Sequence, residues 1–192
     1  MTETARRYMG NSVPRKEDAS LVTGRANFVD EIHLPRMLHM ALLRSPHAHA
    51  KITSIDPSAA REHPAVVAVF TGEDFAEDWV VGIPCGWPVT EDIKVPDHWP
   101  LARGEVNHAG DGVAVVIATD RYTAQDALEL IEVDYEPLPA VVDVEAALED
   151  GAPLVHEQFG TNECYTWPLG TGDIEDAFSK ADVVVRERYI QQ

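Results

Sequence analysis

Apolar positions along this chain fall into short runs, and most of those runs read as strands. MLHMALLRS (37–45) and AKITSID (50–56) are apolar and partly alternating, with Pro46 between them, which predicts two strands and a turn. VVAVFT (66–71) predicts a third strand, and VAVVIAT (113–119), apolar almost throughout, a buried fourth. DRYTAQDALELI (120–131) changes period. Ala124, Ala127, Leu128 and Ile131 recur at helical spacing, and Thr119 or Asp120 is placed to cap that helix. EVDYEPLPAVV then returns as a strand until Pro137 and Pro139 break it. Strand, helix and strand in this order suggest a crossover unit, so the expected class is α/β (α+β) with a mixed sheet.

Weaker signals fill the remainder. LVTGRANFVDEI suggests strand, turn and strand around Gly24, and the polar residues before it read as an extended leader. PSAAREH (57–63) has Pro57 where a short helix begins, and DVEAALED (143–150) makes another that ends at Gly151. GTGDIEDAFSKA (170–181) is a capped helix, and VVVRERYIQQ (183–192) a closing strand. An apolar terminal strand needs a neighbour or presents an open edge, so the sequence looks cut off. Residues 76–100 have no usable period, yet hold four prolines and three of the four tryptophans. A loop of that length inside a compact domain is usually functional or a binding surface.

Composition narrows the function. With 33 acidic against 15 basic residues among 192, the formal charge is −18, which repels phosphate backbones and anionic lipid. Neither nucleic acid nor a membrane surface is therefore an expected partner. VAVVIA is far too short to cross a bilayer, and Arg6-Arg7 precedes polar residues rather than a signal core. Cys85 and Cys164 fit no zinc spacing, so a reducing, cytoplasmic location is expected.

Candidate chemistry is sparse. In RSPHAHAKI (44–52), His47 and His49 would share one face of a strand, but a zinc site needs a third ligand and no other histidine repeats the spacing. One buried, hydrogen-bonded imidazole beside one that touches solvent is the simpler reading. GDGVAVV (110–116) has its glycines before a strand, the reverse of a dinucleotide loop. GTGDIEDAF opens a helix, but Asp173, Glu175 and Asp176 already occupy that end and repel phosphate. Cys85 shares a loop with His98, a conceivable nucleophile and base without a family signature; packing beside Trp87 explains the cysteine better. Glu132, Asp134 and Glu136 alternate on what reads as a solvated strand face. No catalytic, cofactor-binding or metal residue emerges from these patterns.

Several motifs nonetheless occur together and in order: RKEDASLVTG (15–24), FVDEIHLP (28–35), RSPHAHAKI (44–52), VVAVFTGED (66–74) and AQDALELIEVDYEPLP (124–139). This resembles the start of the molybdenum-cofactor subunit of the xanthine dehydrogenase and aldehyde oxidase family. The resemblance covers nearly the whole chain. PCGWPVT (84–90) and NECYTWPLGTGD (162–173) look most like the aerobic carbon monoxide dehydrogenase branch; Gly112 departs from the proline or alanine common there.

The resemblance implies a leader over 1–19, an a/b hammerhead domain over 20–140, and over 141–192 a linker with the first helix and strand of a molybdopterin-binding domain. It implies that His47 and His49 are structural. It also implies that molybdopterin cytosine dinucleotide, the catalytic glutamate and any copper-binding cysteine belong to domains beyond Gln192. The expected role is a non-catalytic module of an oxidoreductase. Its partners would be the remainder of the large subunit, or a separate molybdopterin-binding chain, with FAD and iron-sulfur subunits. Trp79, Cys85, Trp87 and Trp99 are the expected partner or channel contacts. The alternatives are a free-standing accessory protein of the same fold and a small hydrolase built on Cys85.

Overall fold

The computed structural model describes residue 10 and residues 12–191. The chain divides into two units, Met1–Leu38 and His39–Gln192. The first carries helix α1 (Asp18–Val22), a turn at Gly24 and a 3-10 turn over Val29–Glu31, in place of the strand, turn and strand expected there. Local polar side chains account for the difference. Asp18 accepts from the backbone N–H and Nε of Arg15 at 3.0 and 2.9 Å, Ser20 Oγ donates to the Glu17 carbonyl, and Glu31 accepts from the N–H of Phe28. The segment thus satisfies its backbone within itself. Helix α1 also begins inside the expected leader, of which residues 1–9 and 11 lie outside the described residues.

The second unit has strands β1 (His39–Arg44), β2 (Ala50–Asp56), β3 (Val66–Thr71), β4 (Glu105–Val106), β5 (Gly112–Ala118) and β6 (Glu132–Pro137). Its helices are α2 (Ser58–Arg61), α3 (Arg121–Asp126) and α4 (Ile174–Ser179). The strands form two three-stranded sheets, β1-β5-β3 and β4-β2-β6, and every pairing is antiparallel. The strand, helix and strand at 112–137 therefore bridge two sheets rather than close a parallel crossover.

β5 is the centre of this arrangement, which is why its sequence is apolar without alternation. Ala114 and Val116 pack with Val69, Ala60, Ala127, Leu128 and Ile131, while Val113 packs with Ala50, Ala102 and Val106 from the other sheet. Ile55 and Val133 touch both clusters and join the two cores. Alanines at 60 and 124 let α2 and α3 sit close to the sheet, and Ala127 does the same just beyond α3. Asp120 caps α3, accepting from the N–H of Thr123 at 2.9 Å. The helix is shorter than its apolar period suggests, because after Asp126 it tightens into a 3-10 turn over Ala127–Leu130. β4, only two residues long, left no readable period, yet Val106 is fully buried.

Beyond β6 the chain is sparser. The helix expected at 143–150 is a 3-10 turn over Ala146–Leu148, held by Asp143 Oδ1 accepting from the N–H groups of Glu145 and Ala146. α4 forms as expected, capped by Asp173 accepting from the N–H of Asp176 at 2.9 Å. The strand expected over 183–192 does not form within 183–191, which join neither sheet among the described residues; residue 192 lies outside the described residues. Among the described residues no helix is long and apolar enough to cross a membrane.

Candidate functional site

The two histidines that stand out in the sequence lie in the turn between β1 and β2, not within a strand. Ser45 organises the turn: its N–H donates to the Asp111 carbonyl and its carbonyl accepts from Gly110, both at 2.8 Å. Its Oγ also accepts from the N–H of His47 at 3.0 Å. The turn sends the imidazoles to different places. His47 is half-buried against the ring of Tyr135, with centroids 4.9 Å apart. His49, only 9% exposed, has Nδ1 2.9 Å from the Pro139 carbonyl and Nε2 2.9 Å from Glu105 Oε1.

Both of those partners are acceptors, and a carbonyl oxygen never donates. Two hydrogen bonds therefore need both ring nitrogens protonated, which is the imidazolium. Burial pulls the His49 pKa down, but the bond to Pro139, with the bond and charge of Glu105 and the charge of Glu157, holds it above the ordinary histidine value. Asn107, with its amide nitrogen turned inward, donates to Glu105 Oε1 at 3.1 Å and to the Val155 carbonyl at 3.0 Å. His156 lies in the same seam, its pKa lowered by burial, partly offset by Glu105 and reinforced by His49. This group ties β2, β4 and the 139–156 stretch together. A cavity of about 220 Å³ between Trp99, Arg103, Glu105 and His156, and one of about 450 Å³ between His49, Pro139, Val142 and Leu154, flank it.

The tryptophan-rich loop is more ordered than its composition suggests. Phe70, Phe75, Trp79 and Trp99 form a ladder with ring centroids 5.1, 4.9 and 6.3 Å apart, and the Arg103 guanidinium lies 5.0 Å from the Trp99 centroid. Gly72 makes this approach possible, for a Cβ there would lie 2.5 Å from the Ala102 carbonyl oxygen. Trp79 and Trp99 are thus half-buried in one stack, whereas Trp87 stands apart at 80% exposure. The exposed Cys85 thiol donates to the Pro96 carbonyl at 3.3 Å, while His98 faces His108. Cysteine and imidazole are not joined as a nucleophile and base.

The glycine pairs do not fit a phosphate-bearing cofactor. Gly110 and Gly112 feed β5, and the six-residue α4 after Gly170 and Gly172 is capped by its own Asp173, with Glu175 and Asp176 in its first turn. Among the described residues no group of three or more His, Cys, Asp or Glu side chains is placed to hold a metal. Glu132, Asp134 and Glu136 line the exposed face of β6, as expected. Sequence reasoning missed Glu105, Asn107, Pro139 and His156; Glu105 and Pro139 reach His49 from 56 and 90 residues away, and the buried half of H-x-H was the one available signal.

Comparison with known proteins places this arrangement. Residues 23–139 match the family model described as the aldehyde oxidase and xanthine dehydrogenase a/b hammerhead domain. The chain is 38% identical to the carbon monoxide dehydrogenase large chain of Afipia carboxidovorans, over 97% of this chain and 24% of that one. It is 33% identical to the xanthine dehydrogenase molybdenum-binding subunit of Escherichia coli O157:H7, over 91% of this chain and 23% of the relative. Among solved structures, quinoline 2-oxidoreductase from Pseudomonas putida 86 superposes with a TM-score of 0.73 at 41% identity, over 81% of this chain and 20% of that one. The chain therefore spans about a quarter or less of the length of these relatives. It belongs to the aldehyde oxidase and xanthine dehydrogenase family, and carries that family's a/b hammerhead domain.

Proposed function

We propose that this chain is a non-catalytic module of a molybdenum hydroxylase large subunit, packing against molybdopterin-binding domains in the same polypeptide or in a separate chain. In this reading residues 1–19 are a leader, 20–140 the hammerhead, and 141–192 the approach to the cofactor domains. Those domains hold molybdopterin cytosine dinucleotide, and electrons pass to iron-sulfur and FAD subunits in the cytoplasm. The observation that carries the reading is the run Val183, Val185, Tyr189 and Ile190, exposed by 77, 76, 90 and 78%. Apolar side chains gathered so densely on one short segment mark a surface that another protein covers. Trp87, with Val80 and Val81 also exposed, supplies a second contact; Trp79, Trp99 and Cys85 support the loop behind it.

The test is to purify the protein from its native host through a tag on this chain, recording intact masses and molybdenum content. A large copurifying polypeptide, or a longer product of the same gene, that carries molybdenum is expected. A lone chain of 21.2 kDa without molybdenum would contradict the proposal and favour an accessory protein of hammerhead fold.

A further inference from the structure

We propose that Cys85 and Cys164 form a redox pair, closing into one intrachain disulfide that staples the tryptophan-rich loop. They are 79 positions apart (164 − 85 = 79), yet both thiols reach the same short stretch of backbone. Cys164 lies opposite Lys94: its carbonyl accepts from the Lys94 N–H at 3.1 Å, and its Sγ donates to the Lys94 carbonyl at 3.1 Å. Cys85 Sγ donates to the carbonyl of Pro96, two residues on, at 3.3 Å. Farther along, the N–H of Ile83 donates to the His98 carbonyl at 2.6 Å.

Residues 93–99 run without a turn or bend, so the carbonyls of 94, 96 and 98 point to one edge. That edge meets Cys164, Cys85 and Ile83 in succession. Positions two residues apart on extended chain are about 6.6–7.2 Å apart, at or just beyond the roughly 4.4–6.8 Å Cα spacing that a disulfide spans, so closure draws the two segments slightly together. Both thiols are exposed to solvent and therefore to a reagent. Pro96 has no N–H to donate, and Trp87 turns back, its carbonyl accepting from Val89 at 2.7 Å, so the backbone bonds on this edge lie at Lys94 and His98, on either side of Pro96.

The chemistry needs a small-molecule disulfide as oxidant. One cysteine thiolate attacks a sulfur of oxidised glutathione and expels one glutathione thiolate. The second thiolate attacks the mixed disulfide on the first cysteine and expels the other. Two protein thiols lose two protons and two electrons, and one glutathione disulfide becomes two glutathione thiols. The new bond ties the loop bearing Trp87 to the segment bearing Trp167, so the bond sets how rigidly that exposed surface is presented. This inference does not depend on the chain's place in a molybdenum enzyme.

The test uses the whole 192-residue chain, incubated with oxidised glutathione in native buffer and again in concentrated urea. Intact mass, alkylation and non-reducing peptide mapping then report the product. Expected in native buffer is a mass lower by two hydrogens, a linked Cys85–Cys164 peptide and no alkylatable thiol, with closure at least about tenfold faster than in urea. Cys85→Ser and Cys164→Ser each retain a hydroxyl donor, so the fold survives, and each should hold a stable glutathione adduct. Persistent adducts on the unmodified chain, disulfides between chains, or equal closure rates with and without urea would overturn the proposal.

Discussion

The two-sheet core and the stretch beyond β6 spend their apolar residues in opposite ways. In the core, β5 buries four of its residues completely, and strands from both sheets share Ile55 and Val133 between two clusters. In residues 183–190, valines as apolar as those of β5 face solvent and join neither sheet among the described residues; an exposed ion pair from Arg188 to Glu145 at 2.8 Å ties the segment to the turn at 143–148. Equal hydrophobicity thus has two destinations. One is the core of this unit. The other, in the proposed reading, is the surface of the molybdopterin domains.

The comparison can be broken by substitution. Val116→Ala should cost about 2–3 kcal/mol, since it removes a fully buried side chain from the central strand; urea unfolding measures it. Gly72→Ala should cost about 1–3 kcal/mol, because the added methyl drives the Ala102 carbonyl and the Arg103 stem away and loosens the Trp99 stack. Its signature beyond stability is a change in tryptophan fluorescence.

His49 gives a pH-dependent effect of intermediate size. Its pKa is raised in the folded state, so its stabilisation is complete below the unfolded histidine value of about 6.5 and fades as pH rises through the folded value. His49→Gln should cost about 1–2 kcal/mol near pH 6 and less near pH 8.5, measured as unfolding midpoints across that range. His156 contributes in the opposite sense: with its pKa lowered in the folded state it destabilises the fold as pH falls below about 6.5, so His156→Gln should lessen the loss of stability on that acid side. The smallest effects belong to the exposed set. Val185→Ala and Trp87→Ala should change the stability of the chain by less than about 0.5 kcal/mol, while weakening its retention in a native complex.

Most of the fold was legible where burial acts on one local period. β1, β2, β3, β5 and β6 each show apolar positions that a strand accounts for, and the Asp120 cap announced α3. Three features were not legible. β4 is too short to carry a period, although Val106 on it is wholly buried. Residues 18–31 resolve into helical turns through side-chain bonds to nearby backbone, which the apolar pattern does not encode. Sheet assignment is a matter of long-range register, so strand, helix and strand suggested a parallel pair where two antiparallel sheets form.

For the site, H-x-H pointed to one buried, hydrogen-bonded imidazole, which is His49. Its partners Glu105 and Pro139 come from 56 and 90 residues away. The family motifs carried what spacing could not.

Amide hydrogen exchange tests the central contrast most directly, on the isolated chain and on the assembly purified from the native host. The account predicts that β5 is protected in both, and that residues 183–190 exchange freely in the isolated chain but become protected in the assembly. Protection of 183–190 in the isolated chain, or free exchange in both samples, would contradict it.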